Sequence, residues 1–360
     1  MSNDPGIPGA AGPACPLPLP HHDRIVLGHG GGGRLTAELI ERLFRPRLGN
    51  PTLDAGDDAA LLELREPLPA GARLALTTDA HIVRPLFFPG GDIGRLAICG
   101  TVNDLAMVGA RPLGLAAAFV IEEGLDTALL ARVADSMRDA AAEAGVAVVA
   151  GDTKVAERGN VDGLYIATAA VGVVPPGRDC RAAGARPGDA VIVSGSLGEH
   201  GLAVLAARGD LALRTTIVSD VAPLNGLVEA LFAAGVDVRA LRDPTRGGLA
   251  AALNEIAARS GVGLTLDEAA IPVRPEVAAA CEMLGFDPLH LPNEGKLVAF
   301  VPERQAATAL AALRAHPLGA GAVVIGRVED GPRARVLLRT TIGGTRIVDV
   351  PAGELLPRIC

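Results

Sequence analysis

An α/β fold in two domains, with mixed sheets flanked by helices, is predicted for this chain from three observations. Apolar stretches of helical period alternate with short apolar runs of strand character in both halves. The doublet Pro175-Pro176 separates the two series. The 360 residues, 49% of them apolar, are enough for two cores of ordinary size. With one Tyr, seven Phe and no Trp, those cores must be built from Ala, Val, Leu and Ile. The 45 Gly and 27 Pro are spread between apolar segments, so they imply sharp turns rather than low-complexity sequence.

In chain order, residues 1–22 are rich in Pro, Gly and Ala and lack the basic start and apolar centre of a secretion signal. They read as a disordered extension. The first domain, 23–175, opens with Ile25-Val26-Leu27 and the glycine run Gly28 to Gly33. A helix from Leu35 to Phe44 follows, stopped by Pro46. Strands are expected at 74–78, 113–121, 146–150 and 164–174, and helices at 93–107 and 126–144. The third strand runs into a loop, Gly151-Asp-Thr-Lys154. The second domain, 176–345, starts with a strand at 190–193, the turn Ser194 to Gly198 and a helix from His200. Further helices are expected at 223–234, 247–260 and 303–315, and strands at 262–266, 296–301, 322–328 and 335–339. The pattern does not fix the strand order. Residues 346–360 form a Pro- and Gly-punctuated mobile tail that ends in Cys360. Its last twelve or so residues can reach about 40 Å when extended.

Composition removes several functions. The net charge is −8 and no run of five or six basic residues occurs, so the footprint of a nucleic-acid binder is missing. No apolar run approaches a membrane span. The five cysteines, Cys15, Cys99, Cys180, Cys281 and Cys360, are odd in number and never spaced CxxC. A disulfide framework or structural zinc site is therefore not expected, and a reducing compartment, the cytoplasm, fits best.

Five acidic loops carry the candidate chemistry: Gly56-Asp57-Asp58-Ala-Ala60, Thr77-Thr78-Asp79-Ala80, Asn103-Asp104, Gly151-Asp152-Thr153-Lys154 and Asp243-Pro-Thr-Arg-Gly-Gly248. Each carboxylate stands beside small residues, where a ligand can approach the backbone. Mg²⁺ takes hard oxygen ligands shared between carboxylates and phosphates, and several Asp converging on one cleft would supply them. A single such loop is more simply a turn or a cap; the set of five is the signal. The glycine run, with Gly30, Gly31 and Gly32 at its centre, can expose N–H groups to phosphate oxygens, and it equally suits a hinge. It has neither Walker nor Rossmann spacing. Asn293-Glu294-Gly295-Lys296 is either a plain turn or a place for Glu294 as proton acceptor. A thiol on a tail suits a carrier that swings a sulfur-bound group into a nucleotide site, the plain alternative being a frayed terminus.

His29 to Gly33, Gly56 to Ala60, Thr77 to Asp79, Val102 to Gly109 and Gly151 to Val155 resemble the ATP-binding half of the aminoimidazole ribonucleotide synthetase superfamily. Val193 to Gly201, Arg242 to Leu249, Pro292 to Lys296 and the terminal Pro357-Arg-Ile-Cys360 resemble one branch of it, the carbamoyl dehydratases of hydrogenase maturation. The resemblance covers residues 25–360. It implies a homodimer whose N-terminal sheets pair, with ATP in clefts near that interface. It also implies ATP-dependent dehydration of an S-carbamoyl group on Cys360 to S-cyanide, a thiocyanate that supplies the cyanide ligands of nickel–iron hydrogenase. A carbamoyltransferase would be the donor partner and an iron-carrying scaffold the cyanide acceptor. On that basis Asp58, Asp104 and Asp243 are the leading metal ligands. Asp57, Asp79, Asn103, Asp152 and Thr153, with the glycine run, would bind nucleotide. Lys154 would neutralise the phosphoryl or isourea oxygen, and Glu294 would take a proton. Arg358 should favour the Cys360 thiolate and the α-carboxylate oppose it. The sequence has Glu199 where the branch often has Asp before the His, so Glu199 and His200 stay outside the predicted site. A small-molecule kinase or a selenophosphate synthetase of the same superfamily is the alternative; the kinase has no use for a terminal thiol, and the selenophosphate enzyme would want a reactive Cys near the glycine run, whereas Cys15 sits within the Pro-rich segment.

Overall fold

A computed structural model describes residues 23–360 apart from 56–58, 63, 65–66, 210–214, 331–333, 351–355 and 357. Helix α1 (Arg34–Leu39) passes through a π-helical turn at Ile40–Phe44 into α2 (Arg45–Leu48), and α3 (Pro51–Asp54) follows. Pro46 therefore does not stop the helix. It sits in the first turn of α2, where a missing N–H costs little. Next come β1 (Arg73–His81), β2 (Phe87–Phe88), β3 (Gly91–Asp92), α4 (Ile93–Met107), β4 (Arg111–Glu122), α5 (Thr127–Ala144), β5 (Val148–Ala156) and β6 (Leu164–Val174). The four long strands form a sheet in the order β1-β6-β4-β5. Only β4 and β5 run parallel, joined through α5.

Local signals set the helix ends. The Asp92 carboxylate accepts from the N–H groups of Gly94 and Arg95 at the start of α4, and Asp126 accepts from Ala128 N–H at the start of α5. Leu130, Val133, Met137 and Ala141 recur every three or four residues, so α5 buries one face. Helix α4 is buried almost all round, because the sheet lies on one side and the second half of the chain on the other.

The second half contains β7 (Asp189–Val193), α6 (Glu199–Arg208), α7 (Asn225–Ala233), β8 (Ala240–Arg242), α8 (Gly248–Ser260), β9 (Gly263–Asp267), α9 (Pro275–Leu284), β10 (Val298–Pro302), α10 (Ala306–Arg314), β11 (Val323–Glu329), β12 (Arg335–Arg339) and β13 (Thr345–Ile347). Its seven-stranded sheet runs β13-β12-β9-β11-β7-β10-β8, mixed because β12 pairs parallel with β9. Central β7 and β10 are buried along their whole lengths, which is why they read as continuous apolar runs.

Three of the five acidic segments are not loops. Asp79 lies in β1, Asp104 in α4 and Asp152 in β5. The strand at 146–150 continues to Ala156 because Gly151 to Lys154 pairs in register with Ala117 to Val120 of β4. Residues 346–348, expected in the tail, belong to the second sheet: Val348 is buried and its N–H donates to Val336 O. No described helix is long and apolar enough to cross a membrane.

Candidate active site

The end of the chain folds inward. Leu356 and Ile359 are buried in the core that also takes in the first sheet and α6. Burying each contributes about 1.5–3 kcal/mol towards the docked position. Ile82 N–H donates to the Cys360 carboxyl-terminal oxygen (3.2 Å) and Arg84 N–H to Arg358 O (3.2 Å), so the last residues run alongside the segment after β1. The Arg208 guanidinium also donates to Arg358 O (2.8 Å). Arg358 itself is paired with Asp162, so its charge is committed there rather than to the thiol.

This seat places Cys360 in the wall of a cleft of about 510 Å³ between the two halves, lined also by Asp79, His81, Asp104, Asp243, Arg246 and Glu294. Each acid arrives from a different element. Asp79 and His81 are two apart on β1 and so share a face. Asp104 projects from α4 and accepts from the Thr77 hydroxyl (2.8 Å). Asp243 follows β8, and Glu294 precedes β10. Helix α4 can approach β1 here because position 100 is glycine; a Cβ there would already touch the His81 ring at 3.1 Å.

Asp104, Asp243 and Glu294 are each raised by burial and by a neighbouring carboxylate. Burial pushes Asp243 up to about 6, helped by the negative charges of Asp104 and Asp79. Burial likewise raises Glu294 well above the carboxylate range, with Asp243, Asp220 and Asp79 adding to it. Asp104 is raised by burial against the Thr77 hydrogen bond. One oxygen of Glu294, Oε1, is buried with no hydrogen-bond partner. A pocket of mutually raised acids with an orphaned oxygen is suited to a cation. Among the described residues, no group of three His, Cys, Asp or Glu side chains makes a ready-formed metal site. Magnesium shared with phosphate oxygens needs only one or two protein carboxylates, so Asp104 and Asp243 fit it. Asp57 and Asp58 lie outside the described residues.

The remaining predicted residues are elsewhere. Asn103 is buried, with its amide donating to Ala222 O (3.1 Å) and Glu294 O (3.4 Å) and accepting from Leu224 N–H (2.7 Å). Its polar atoms tie α4 to the second half instead of facing a ligand. Asp152 and Thr153 line a second cleft of about 440 Å³ beside α2 and β5. Lys154 is exposed on β5, opposite Val120. Gly30 packs against that strand, and a Cβ there would lie 2.2 Å from the Val155 nitrogen. A Cβ at Gly31 would lie 3.8 Å from Gly28 O, and Gly32 faces open space, although its N–H is already held by the Thr36 hydroxyl (3.0 Å).

His81 and Arg246 were not expected in the site from sequence, and His200 was left outside it. Strand period would have found His81 beside Asp79, but Arg246 reaches Asp79 (3.7 Å) only through the fold. Among the described residues the other thiols do not compete with Cys360. Burial pushes Cys99 and Cys180 up to about 12 and Cys281 up to about 11, so each stays protonated.

Two folded halves joined over an acidic, thiol-lined cleft define a class, and comparison with known proteins agrees. Residues 56–174 match the N-terminal domain of the AIR synthase related proteins, and residues 186–339 match the C-terminal domain. The carbamoyl dehydratase HypE of Rhodobacter capsulatus is 55% identical over 340 residues, 94% of this chain and 98% of that protein. A crystal structure of the hydrogenase maturation protein HypE in complex with ATP superposes with a TM-score of 0.88 at 46% identity, covering 93% of this chain and 99% of that one. A HypE–HypF complex gives 0.75 at 49% identity, covering 87% and 99%. The chain belongs to the carbamoyl dehydratase HypE family of the AIR synthase related proteins.

Proposed function

We propose that this chain is an ATP-dependent carbamoyl dehydratase of hydrogenase maturation, acting on an S-carbamoyl group carried by its own Cys360. The observation that carries the reading is the placement of that terminal thiol inside the acidic cleft. An amide oxygen is a poor leaving group. Transfer of the ATP γ-phosphoryl to it creates a phosphate ester, and loss of phosphate together with the amide protons leaves S–C≡N. Glu294, whose orphaned oxygen and raised pKa support the role, would accept a proton from nitrogen once ionised. Asp104 and Asp243 would hold Mg²⁺, with Asp57 and Asp58 as further candidates from sequence. When bound, the ion would neutralise charge on the transferring phosphoryl group. Asp79 and Arg246 would orient the nucleotide.

Cyanide would then leave on the tail, which must come out of its seat to meet a carbamoyltransferase and an iron-carrying acceptor. The 23–175 and 176–345 domains would each contribute one wall. We further infer a homodimer. Leu74 and Leu76 on edge strand β1 are 65% and 80% exposed, and the same face of the sheet continues through half-buried Ala116, Ala118 and Val120. Pairing of two such faces would cover this apolar surface and carry Lys154, with the glycine run behind it, towards a partner's cleft. Leu74→Asp combined with Leu76→Asp is expected to halve the mass measured by light scattering; a wild-type monomer at micromolar concentration contradicts the dimer.

The chemistry is tested with heavy oxygen in the carbamoyl group. Phosphorylation of the amide oxygen delivers the label to inorganic phosphate. Label recovered in water, or retained on the protein while ATP is consumed, rejects the reading in favour of a kinase or an idle ATPase.

A further inference from the structure

His200, which the sequence reading set aside, is fully buried at the start of α6 and bonded at both ring nitrogens. Nε2 lies 2.8 Å from Ile359 O and Nδ1 lies 2.8 Å from Ser219 Oγ. A carbonyl oxygen only accepts, so Nε2 must carry the proton. Burial lowers the pKa of the imidazole, which keeps it neutral and leaves Nδ1 as an acceptor. Ser219 must then donate to Nδ1, and its oxygen accepts in turn from Val221 N–H (3.1 Å). Every donor in this chain has one acceptor: Val221 N–H to Ser219, Ser219 O–H to His200, His200 Nε2–H to the tail.

The next residue in the same strap holds the other side of the site. Asp220 accepts from Glu294 N–H, Gly295 N–H (both 3.1 Å) and Lys296 Nζ (3.0 Å), with its side chain only 5% exposed. Lys296 keeps Asp220 ionised against its burial. The two segments touch so closely that a Cβ at Gly295 would lie 1.7 Å from Asp220 O. Residues 219–221 therefore carry the tail on one side and the Glu294 turn on the other.

We propose that His200 is a positioning residue for the dehydration: supported by Ser219, its Nε2–H seats the tail one residue before the thiol, in register with Glu294. A hydrogen bond aimed at a backbone oxygen is indifferent to what the sulfur carries, so it can hold thiol, carbamoyl and cyanide forms alike. This rests on Cys360 being the carrier.

The test uses the full-length protein, with alkylation of Cys360 by iodoacetamide followed on the C-terminal peptide and single-turnover dehydration followed separately. His200→Leu removes the donor. It should raise the alkylation rate about tenfold and slow dehydration by a similar factor at saturating ATP. His200→Gln, which can still donate an amide N–H, should return both rates most of the way, a rescue that mere cavity filling by Leu does not give. An unchanged alkylation rate in the Leu variant, faster alkylation with normal dehydration, or no rescue by Gln overturns the proposal. Should the Leu variant not fold, Ser219→Ala is read by the same two rates, and wild-type values there overturn it. If wild-type protein does not dehydrate at Cys360 at all, the carrier reading fails while alkylation still decides whether His200 seats the tail.

Discussion

Cys360→Ser is expected to abolish dehydration while leaving ATP binding intact. The hydrogen bonds that seat the end of the tail use the backbone oxygens of Arg358, Ile359 and Cys360, and the apolar anchors are Leu356 and Ile359. Serine preserves all of these, so the docked tail and the cleft should survive. What it loses is the sulfur. None of the other thiols among the described residues can take over: Cys99 and Cys180, at about 12, and Cys281, at about 11, are protonated at any physiological pH. Titration calorimetry with ATP should match wild type, and single-turnover product should be absent. Dehydration product from the serine protein, or a collapse of ATP affinity, contradicts the assignment of Cys360 as carrier rather than as a structural plug.

The second large effect separates stability from function at Asp243. Its folded pKa of about 6 stands above the ordinary aspartate value of 3.8. The folded protein thus binds a proton more tightly than the unfolded chain. The resulting stabilisation is complete below about pH 4, is lost as pH rises towards 6, and at neutral pH the ionised group is a net burden. A shift of about two units corresponds to roughly 3 kcal/mol. Asp243→Asn removes the burden, and after the cost of burying an amide it should stabilise the ligand-free protein by about 1–2 kcal/mol at pH 7.5. It should give no such gain at pH 4. Turnover should nevertheless fall by about a hundredfold or more, because a carboxylate suited to Mg²⁺ is gone. Urea denaturation at the two pH values checks the first part and single-turnover kinetics the second. Equal stability changes at both pH values would show that Asp243 does not carry this strain.

Much of the architecture was legible because its signals are local. The alternation of helical and strand periods acts within a few residues. The site was legible in its chemistry more than in its geometry. Asp79, Asp104, Asp243, Glu294 and Cys360 do converge on one cleft, yet Asp79 and Asp104 sit within a strand and a helix, where Asp is uncommon and a loop was the simpler expectation. A polar residue inside an apolar run was the available signal. Asn103 shows the opposite failure: adjacent to Asp104 in sequence, it points about 100° away around the helix and spends its amide on the second half. His200 and Asp220 were invisible because their partners are 159 and about 75 residues distant, which only the folded chain brings together.

The central claim is that the cleft converts a group on the last residue, and peptide-resolved mass spectrometry tests it most directly. Protein carbamoylated by its partner and then given Mg-ATP should lose the mass of one water on the C-terminal peptide alone, in step with the release of one ADP. The same loss on a peptide containing Cys99, Cys180 or Cys281, or ADP release with the C-terminal carbamoyl group unchanged, would contradict it.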